Sequence, residues 1–161
     1  MSQPHRVYLS IGSNIQPEQN IPRAIDLLAH YGQVLAVSSV WESRAVGSDG
    51  PNFLNASVIF ATDIAPADLK QRLVTPVENA LGRVRTSDKN APRTIDVDVM
   101  MVDDQPFNVD RWDNAFVLLP LSELLPEALH PITHEKLRDA ADTARKTTWI
   151  VQRPDLLKTS P

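Results

Sequence analysis

The sequence predicts an α+β domain with the element order β-α-β-β-α-β. Three observations carry that prediction. Strand-length runs of apolar and β-branched residues recur at 6–12, 34–41, 52–62 and 94–102. Two longer stretches, 17–31 and 65–81, space their apolar residues by three or four and fall between the strands. The chain has 161 residues, 42% hydrophobic and 22% charged, which suits one globular domain with a sizeable core.

Each element has a local reason. Strand 6–12 ends in the turn Gly12-Ser13-Asn14. Helix 17–31 lines up Ile21, Ala24, Ile25 and Leu28, and Gly32 stops it. Residues 34–41 form the second strand, and 43–51, rich in small and turn-forming residues, form a loop. In strand 52–62, Phe53, Asn55, Ser57 and Ile59 share one face, and Leu54, Ala56, Val58 and Phe60 share the other. Helix 65–81 opens at Pro66, closes at Gly82 and must kink or break at Pro76. A polar loop, 83–92, leads to the fourth strand, 94–102. This order is the ferredoxin-like arrangement, a mostly antiparallel sheet with helices on one face. A C-terminal extension follows. Within it, 116–119 reads as an added strand, 122–125 as a helical turn and 134–145 as a helix, and the tail from Gln152 is expected to fray. The whole of 1–161 reads as one domain with an ordered core of about 5–151.

Composition narrows the function. Lys and Arg number 16 against 20 Asp and Glu, a net charge of −4, which disfavours a broad nucleic-acid surface. Without cysteine there is no disulfide framework, thiolate nucleophile or Cys-based zinc site. No apolar run reaches the roughly 18 residues of a membrane span, and the first residues lack the apolar stretch of a secretory signal. The expectation is a cytoplasmic protein with no membrane or nucleic-acid partner. His5, His30, His130 and His134 read as surface residues, and Pro131 breaks the helix that a zinc pair at 130 and 134 would need. Neither a P-loop nor a Gly-x-Gly-x-x-Gly signature is present.

The strongest chemical signal is Asp96-Val97-Asp98. Residues two apart on a strand project to the same side, so both carboxylates point together, about 6–7 Å apart. Such a pair seats hard divalent cations, above all magnesium shared with phosphates. The plain alternative is a half-exposed strand with a polar face. Arg83, Arg85, Lys89 and Arg93 converge on the loop before this pair. Cations beside metal-binding carboxylates suit phosphoryl transfer, whereas the plain alternative is a solvated loop that pairs with its own acids. Asn55, an amide inside a strand, can read the edge of a heterocycle, and Phe53 on the same face supplies a ring. The alternative has Phe53 in the core and Asn55 satisfying backbone.

Five blocks then resemble one known family. Residues 9–15 (LSIGSNI), 53–58 (FLNASV), 82–85 (GRVR), 91–100 (APRTIDVDVM) and 116–127 (FVLLPLSELLPE) are similar, in order, to the blocks of 6-hydroxymethyl-7,8-dihydropterin pyrophosphokinase, an enzyme of folate biosynthesis. The resemblance implies a ferredoxin-like fold and transfer of pyrophosphate from ATP to the pterin hydroxymethyl group with two magnesium ions. It implies metal binding by Asp96 and Asp98, and catalysis by these with Arg83 and Arg93. It assigns the pterin to Ser43, Val46, Phe53, Asn55 and Phe116. It places Glu78 and Arg85 at the nucleotide, and Lys89, Val99 and Arg111 are read as nucleotide-binding beside them. The partners implied are the pterin and ATP, and the protein is expected to be a monomer, a dimer being the alternative.

The chain also departs from the family pattern. Residues 43–47 (SRAVG) replace a Thr-Pro-x-x-Gly loop, and Asn90 stands where tryptophan is frequent. A segment with a phosphate-contacting histidine and arginine is shortened to 107–114, with Asn114 at the arginine's place. Arg111 within that segment, Lys89 and, less readily, Arg44 are the cations that could replace the missing charge. A paralogue in a variant pterin pathway and a pterin-binding protein without kinase activity are the competing readings.

Overall fold

At the centre of the sheet lies β1 (His5–Ser13), flanked by β4 (Phe53–Thr62) on one side and β5 (Asp96–Val102) on the other in a computed structural model that describes residues 3–156. The strand order is β6 (Gln105–Pro106), β5, β1, β4, β3 (Val40–Ser43) and β7 (Ile150–Arg153), with β2 (Gln33–Val37) also on β4. Every pairing is antiparallel. β2 (Gln33–Val37) and β3 (Val40–Ser43) run end to end along β4, so the expected single strand 34–41 is two. The break falls at Ser38, whose hydroxyl accepts a hydrogen bond from the Ser57 backbone N–H at 2.8 Å and donates to Ser39 O at 2.8 Å. A side chain that bonds backbone in this way competes with the ladder.

One face of the sheet carries Val7, Leu9, Ile11, Leu54, Ala56, Val58, Phe60, Ile95 and Val97. They bury against Ile21, Ala24 and Leu28 of α1 (Pro17–Leu28) and Val77 of α2 (Thr75–Ala80). These are the two helices expected on one face. The stretch before α2 departs from regular helix as Pro76 requires. Pro66–Asp68 is a 3-10 turn, and Lys70–Val74 is a wide π turn. Proline has no N–H to donate and its ring clashes with the carbonyl four residues back, so the turn ahead of it opens.

The opposite face is covered by the C-terminal extension. Tyr8, Trp41 and Met100 pack against Trp112, Val117, Leu118 and Leu121, and against Leu137 and Ala141. Here the structure corrects the sequence reading. Residues 116–119 belong to α3 (Ala115–Leu124), not to a strand, and 122–125 is largely the end of the same helix. The run is apolar all round because the sheet covers one side and α4 (Leu137–Thr147) another, and such a run has no period to reveal a helix. The expected helix 134–145 is α4, starting three residues later. Gln152 is not frayed. It lies in β7 (Ile150–Arg153), paired with β3, where Arg153 Nη1 donates to Glu42 Oε1 at 2.6 Å and Gln152 Nε2 to Ser39 Oγ at 2.7 Å. Residues 157–161 of the expected tail lie outside the described residues. His130 is buried, edge-on to Trp112, and its Nδ1 accepts from the N–H groups of Ile132 and Thr133, so it is not a surface residue. β6 (Gln105–Pro106) and a 3-10 turn, Val109–Arg111, link β5 to α3. Among the described residues no helix is long and apolar enough to cross a membrane.

Candidate active site

The site lies on the α3 face, at the end of the sheet that α3 leaves open. Register explains why. Asp96 and Asp98 on β5 stand opposite Gly12 and Ser10 on β1, and these stand opposite Asn55 and Ser57 on β4. Small residues on the central strand leave space in front of the carboxylates. Nearer the other end of the sheet the same face carries Tyr8, Ile59 and Met101, which α3 and α4 cover.

Two cavities meet there. The larger, about 740 Å³, lies between the 65–78 segment, the 83–93 loop and β5. Glu78, Arg83, Arg85, Lys89, Arg93, Asp96, Asp98, Val99 and Arg111 all line it. The smaller, about 140 Å³, is walled by Ser43, Val46, Phe53, Asn55 and Phe116. Lys89, Arg93, Asp96, Asp98 and Arg111 line both, so the charged residues occupy the junction. The structure therefore brings every candidate residue from the sequence to one of two adjoining cavities. Arg44 also lines the smaller one, and its guanidinium stacks over Trp149 at 5.1 Å.

The larger cavity is organised by a buried carboxylate. Glu78 is 3% exposed. It accepts hydrogen bonds from Arg83 Nη1 at 2.5 Å, Arg85 Nη2 at 2.8 Å and the Val97 backbone N–H at 3.1 Å. Arg83 Nη1 also donates to Asp96 Oδ1 at 3.0 Å, and Arg93 Nη1 lies 3.8 Å from Asp96 Oδ2. Asp98 is gripped from the other side, where Arg111 Nη1 donates to its Oδ2 at 2.9 Å. The Arg93 guanidinium donates to the carbonyls of Lys89 and Ala91, which curls the loop around it.

Asp98 is perturbed. Its pKa is pushed up from 3.8 to about 6, chiefly by burial and then by the charge of Asp96. Arg111 opposes the rise without cancelling it. Asp96 and Asp98 both line the junction of the two cavities, and two carboxylates on one strand face fit a hard divalent ion that would complete its shell with water and phosphate oxygens.

The smaller cavity is a slot with a polar floor. Asn55 Nδ2 donates to Trp41 O at 3.0 Å and to Ser43 Oγ at 2.8 Å. That fixes the amide and commits its N–H groups to the protein, so Oδ1 is the edge left to accept from a ligand. Phe53 and Phe116, both half-buried, supply ring faces. Phe116 reaches the slot from the first turn of α3, so its helical setting matters to the site.

Sequence reasoning missed the residues that frame these cavities. Asn14 is buried and clamps the loop: its Oδ1 accepts the Arg93 N–H at 2.8 Å, its N–H donates to Arg93 O at 3.1 Å, and its Nδ2 donates to Pro51 O at 3.2 Å. The sequence alone places it in a plain turn after β1. Ser10 and Gly12 were legible as small residues on a core strand but not as the floor of a slot. Lys70 and Asn108 line the larger cavity from positions that carry no motif.

Residues 8–126 match the family model described as 7,8-dihydro-6-hydroxymethylpterin-pyrophosphokinase. Over 138 residues the chain is 33% identical to the 2-amino-4-hydroxy-6-hydroxymethyldihydropteridine pyrophosphokinase of Pseudomonas aeruginosa, covering 78% of this chain and 84% of that protein. The enzyme of the same name from Aquifex aeolicus is 32% identical over 146 residues, covering 83% and 88%. Folic acid synthesis protein FOL1 of Dictyostelium discoideum is 33% identical over 138 residues, covering 80% of this chain and 21% of its own length. The chain thus spans about a fifth of that relative. A crystal structure of an HPPK-DHPS protein in complex with substrates superposes with a TM-score of 0.69 at 12% identity, covering 91% of this chain and 44% of the other. That likeness bears on the fold, which is ferredoxin-like.

Proposed function

The chain belongs to the 7,8-dihydro-6-hydroxymethylpterin-pyrophosphokinase family, and we propose that it transfers pyrophosphate from ATP to 6-hydroxymethyl-7,8-dihydropterin in folate biosynthesis. One observation carries the reading most of the way. A slot for a flat ring and a cation-lined cavity open onto the same pair of carboxylates, Asp96 and Asp98. A two-substrate transfer needs that arrangement, because the acceptor hydroxyl and the phosphate chain must meet in one place.

The division of labour follows from the side chains. Phe53 and Phe116 stack the pterin, and Asn55 Oδ1 accepts from its edge, with Ser43 and Val46 closing the slot. Arg83, Arg85 and Lys89 neutralise the phosphates, and Glu78 holds Arg83 and Arg85 at fixed angles from below. Val99 and Arg111 border the nucleotide side. Arg93, held by Asn14, keeps the 83–93 loop over the junction. In the transfer the hydroxymethyl oxygen bonds to the β-phosphorus, the bond from that phosphorus to the α,β-bridging oxygen breaks, and AMP leaves with the bridging oxygen. The hydroxyl proton passes to solvent. Positioning and charge neutralisation lower such a barrier without covalent catalysis.

Asp96 and Asp98 would hold magnesium, two ions shared with the phosphates. Bound there, magnesium neutralises charge on the group in transfer. Absence of cysteine accords with a cytoplasmic setting. The test is direct: purified protein with ATP, magnesium and 6-hydroxymethyl-7,8-dihydropterin, followed for AMP. Pterin-dependent AMP supports the reading. Pterin binding without AMP would point to a binding protein instead.

A further inference from the structure

We infer that Trp149 is a positioning residue for the pterin slot: its ring holds Arg44 and, through it, the 44–46 wall of the slot. The inference rests on the pyrophosphokinase reading and deepens it by naming a residue outside the matched segment, 8–126. Strand pairing brings the two residues together. β3 and β7 run antiparallel, with Ser43 opposite Ile150. One step further along both chains, Arg44 comes opposite Trp149, and opposed residues of an antiparallel pair are neighbours. The Arg44 guanidinium lies 5.1 Å from the centre of the Trp149 ring, within the reach of a cation–π contact. Trp149 is 41% exposed and Arg44 is exposed too, so the pair sits at the surface.

The stack falls where the sheet releases the chain. Ser43 ends β3 and is well held, paired with Phe53 and Ile150 and accepting from Asn55 Nδ2 at 2.8 Å. Arg44 is the first residue beyond it, and the chain re-enters the sheet only at Phe53. Yet Arg44 and Val46 both wall the slot. Val46 is 66% exposed and has little packing of its own to fix it. Beyond it Gly47 turns with a φ of 75° so close to Asn90 that an added Cβ would stand 2.7 Å from Asn90 Nδ2. The wall thus rests on the 83–93 loop at one end and on Trp149 at the other. Without the stack, the wall must be ordered at the moment of binding, and pterin affinity falls by the fraction of time it is out of place. Arg44 lines the slot and not the larger cavity, whereas Lys89 and Arg111 line both, so its task concerns the pterin rather than the phosphates.

Calorimetry on the purified chain tests this. The pterin, 6-hydroxymethyl-7,8-dihydropterin, is titrated with magnesium and α,β-methylene-ATP present, and the nucleotide analogue is titrated separately. Arg44→Ala and Trp149→Ala should each weaken pterin binding about two- to fivefold, the range of a cation–π contact at an exposed site. The double variant should lose no more than the larger single loss, because both changes remove one contact. Trp149→Phe and Arg44→Lys, which keep a ring and a cation, should retain most of the affinity. Binding of the analogue should stay at the wild-type level throughout. A contact that served the fold alone would leave pterin affinity unchanged. That result in a folded Trp149→Ala, losses that add in the double variant, or equal losses for pterin and analogue overturn the inference and leave the pyrophosphokinase reading intact. If Trp149→Ala does not fold, Arg44→Ala against Arg44→Lys decides: loss in the first with retention in the second supports the inference, and any other pattern removes it. A wild type that binds the pterin but forms no AMP removes the transfer reading, and the same comparison still decides the inference. A wild type that binds no pterin removes both.

Discussion

A Cβ on Gly12 would stand 3.1 Å from Oδ1 of Asn55 and 3.6 Å from Cδ1 of Phe53. Glycine at this point of β1 is what leaves the amide oxygen open to the slot. Gly12→Ala should weaken pterin affinity severalfold, and Gly12→Val should abolish measurable binding while both variants stay folded. Fluorescence titration with the pterin, beside a thermal melt, distinguishes the two effects. Wild-type pterin affinity in Gly12→Val would show that the ligand sits elsewhere.

Asp96 is the carboxylate on which Arg83 and Arg93 both bear. Asp96→Asn keeps its shape and removes its charge. AMP formation should fall at least roughly 10²-fold, and circular dichroism should remain that of the native fold. Near-native turnover in this variant would exclude Asp96 as a metal ligand.

Glu78 is a buried acid holding two arginines, one of them Arg83 with a side chain 9% exposed. Removing one partner of a buried pair costs about 3–5 kcal/mol, because the charge left behind lacks compensation. Glu78→Ala should lose stability of that order in urea unfolding and bind ATP more weakly, with pterin binding little changed. A loss below about 1 kcal/mol would mean that Arg83 finds its charge balance at Asp96 alone.

The central strands β1, β4 and β5 were readable because each carries its own alternation. The faces of β4 were legible residue by residue, from Phe53 to Phe60. Asp96 and Asp98 were readable for the same reason, since strand periodicity puts them on one side without tertiary information. What failed depended on neighbours. Residues 115–124 are apolar all round because two layers enclose them, so strand and helix could not be separated. β7 exists because Arg153 finds Glu42, more than a hundred residues away in the chain. His130 is polar by composition and buried by context, with Trp112 and a tight turn around it. Asn14 shows the same limit inside the site. Its side chain bonds backbone at Arg93 and Pro51, contacts that only the folded chain creates.

Asp98 gives the metal-free protein a stability profile with an unusual sign. Its folded pKa, about 6, is above the ordinary 3.8 because burial and Asp96 disfavour the charge. Between these values the native state holds a proton that the unfolded chain has released, so stability falls as pH rises through that window. The acids with lowered pKa values, Glu42, Asp103 and Glu127, titrate below it and act with the opposite sign at the acid end. The melting temperature of the metal-free protein should therefore decline from about pH 5 to pH 7. Asp98→Asn should flatten that decline and stabilise the protein at pH 7 by on the order of 2 kcal/mol. Magnesium should raise the wild-type melting temperature more at pH 7 than at pH 5, since it binds the ionised carboxylate, and should do little for Asp98→Asn. Thermal melts of both proteins across this range, with and without magnesium, measure all three effects. A wild-type profile that rises from pH 5 to pH 7 would mean that Asp98 ionises at its ordinary pH and that Arg111 fully compensates it.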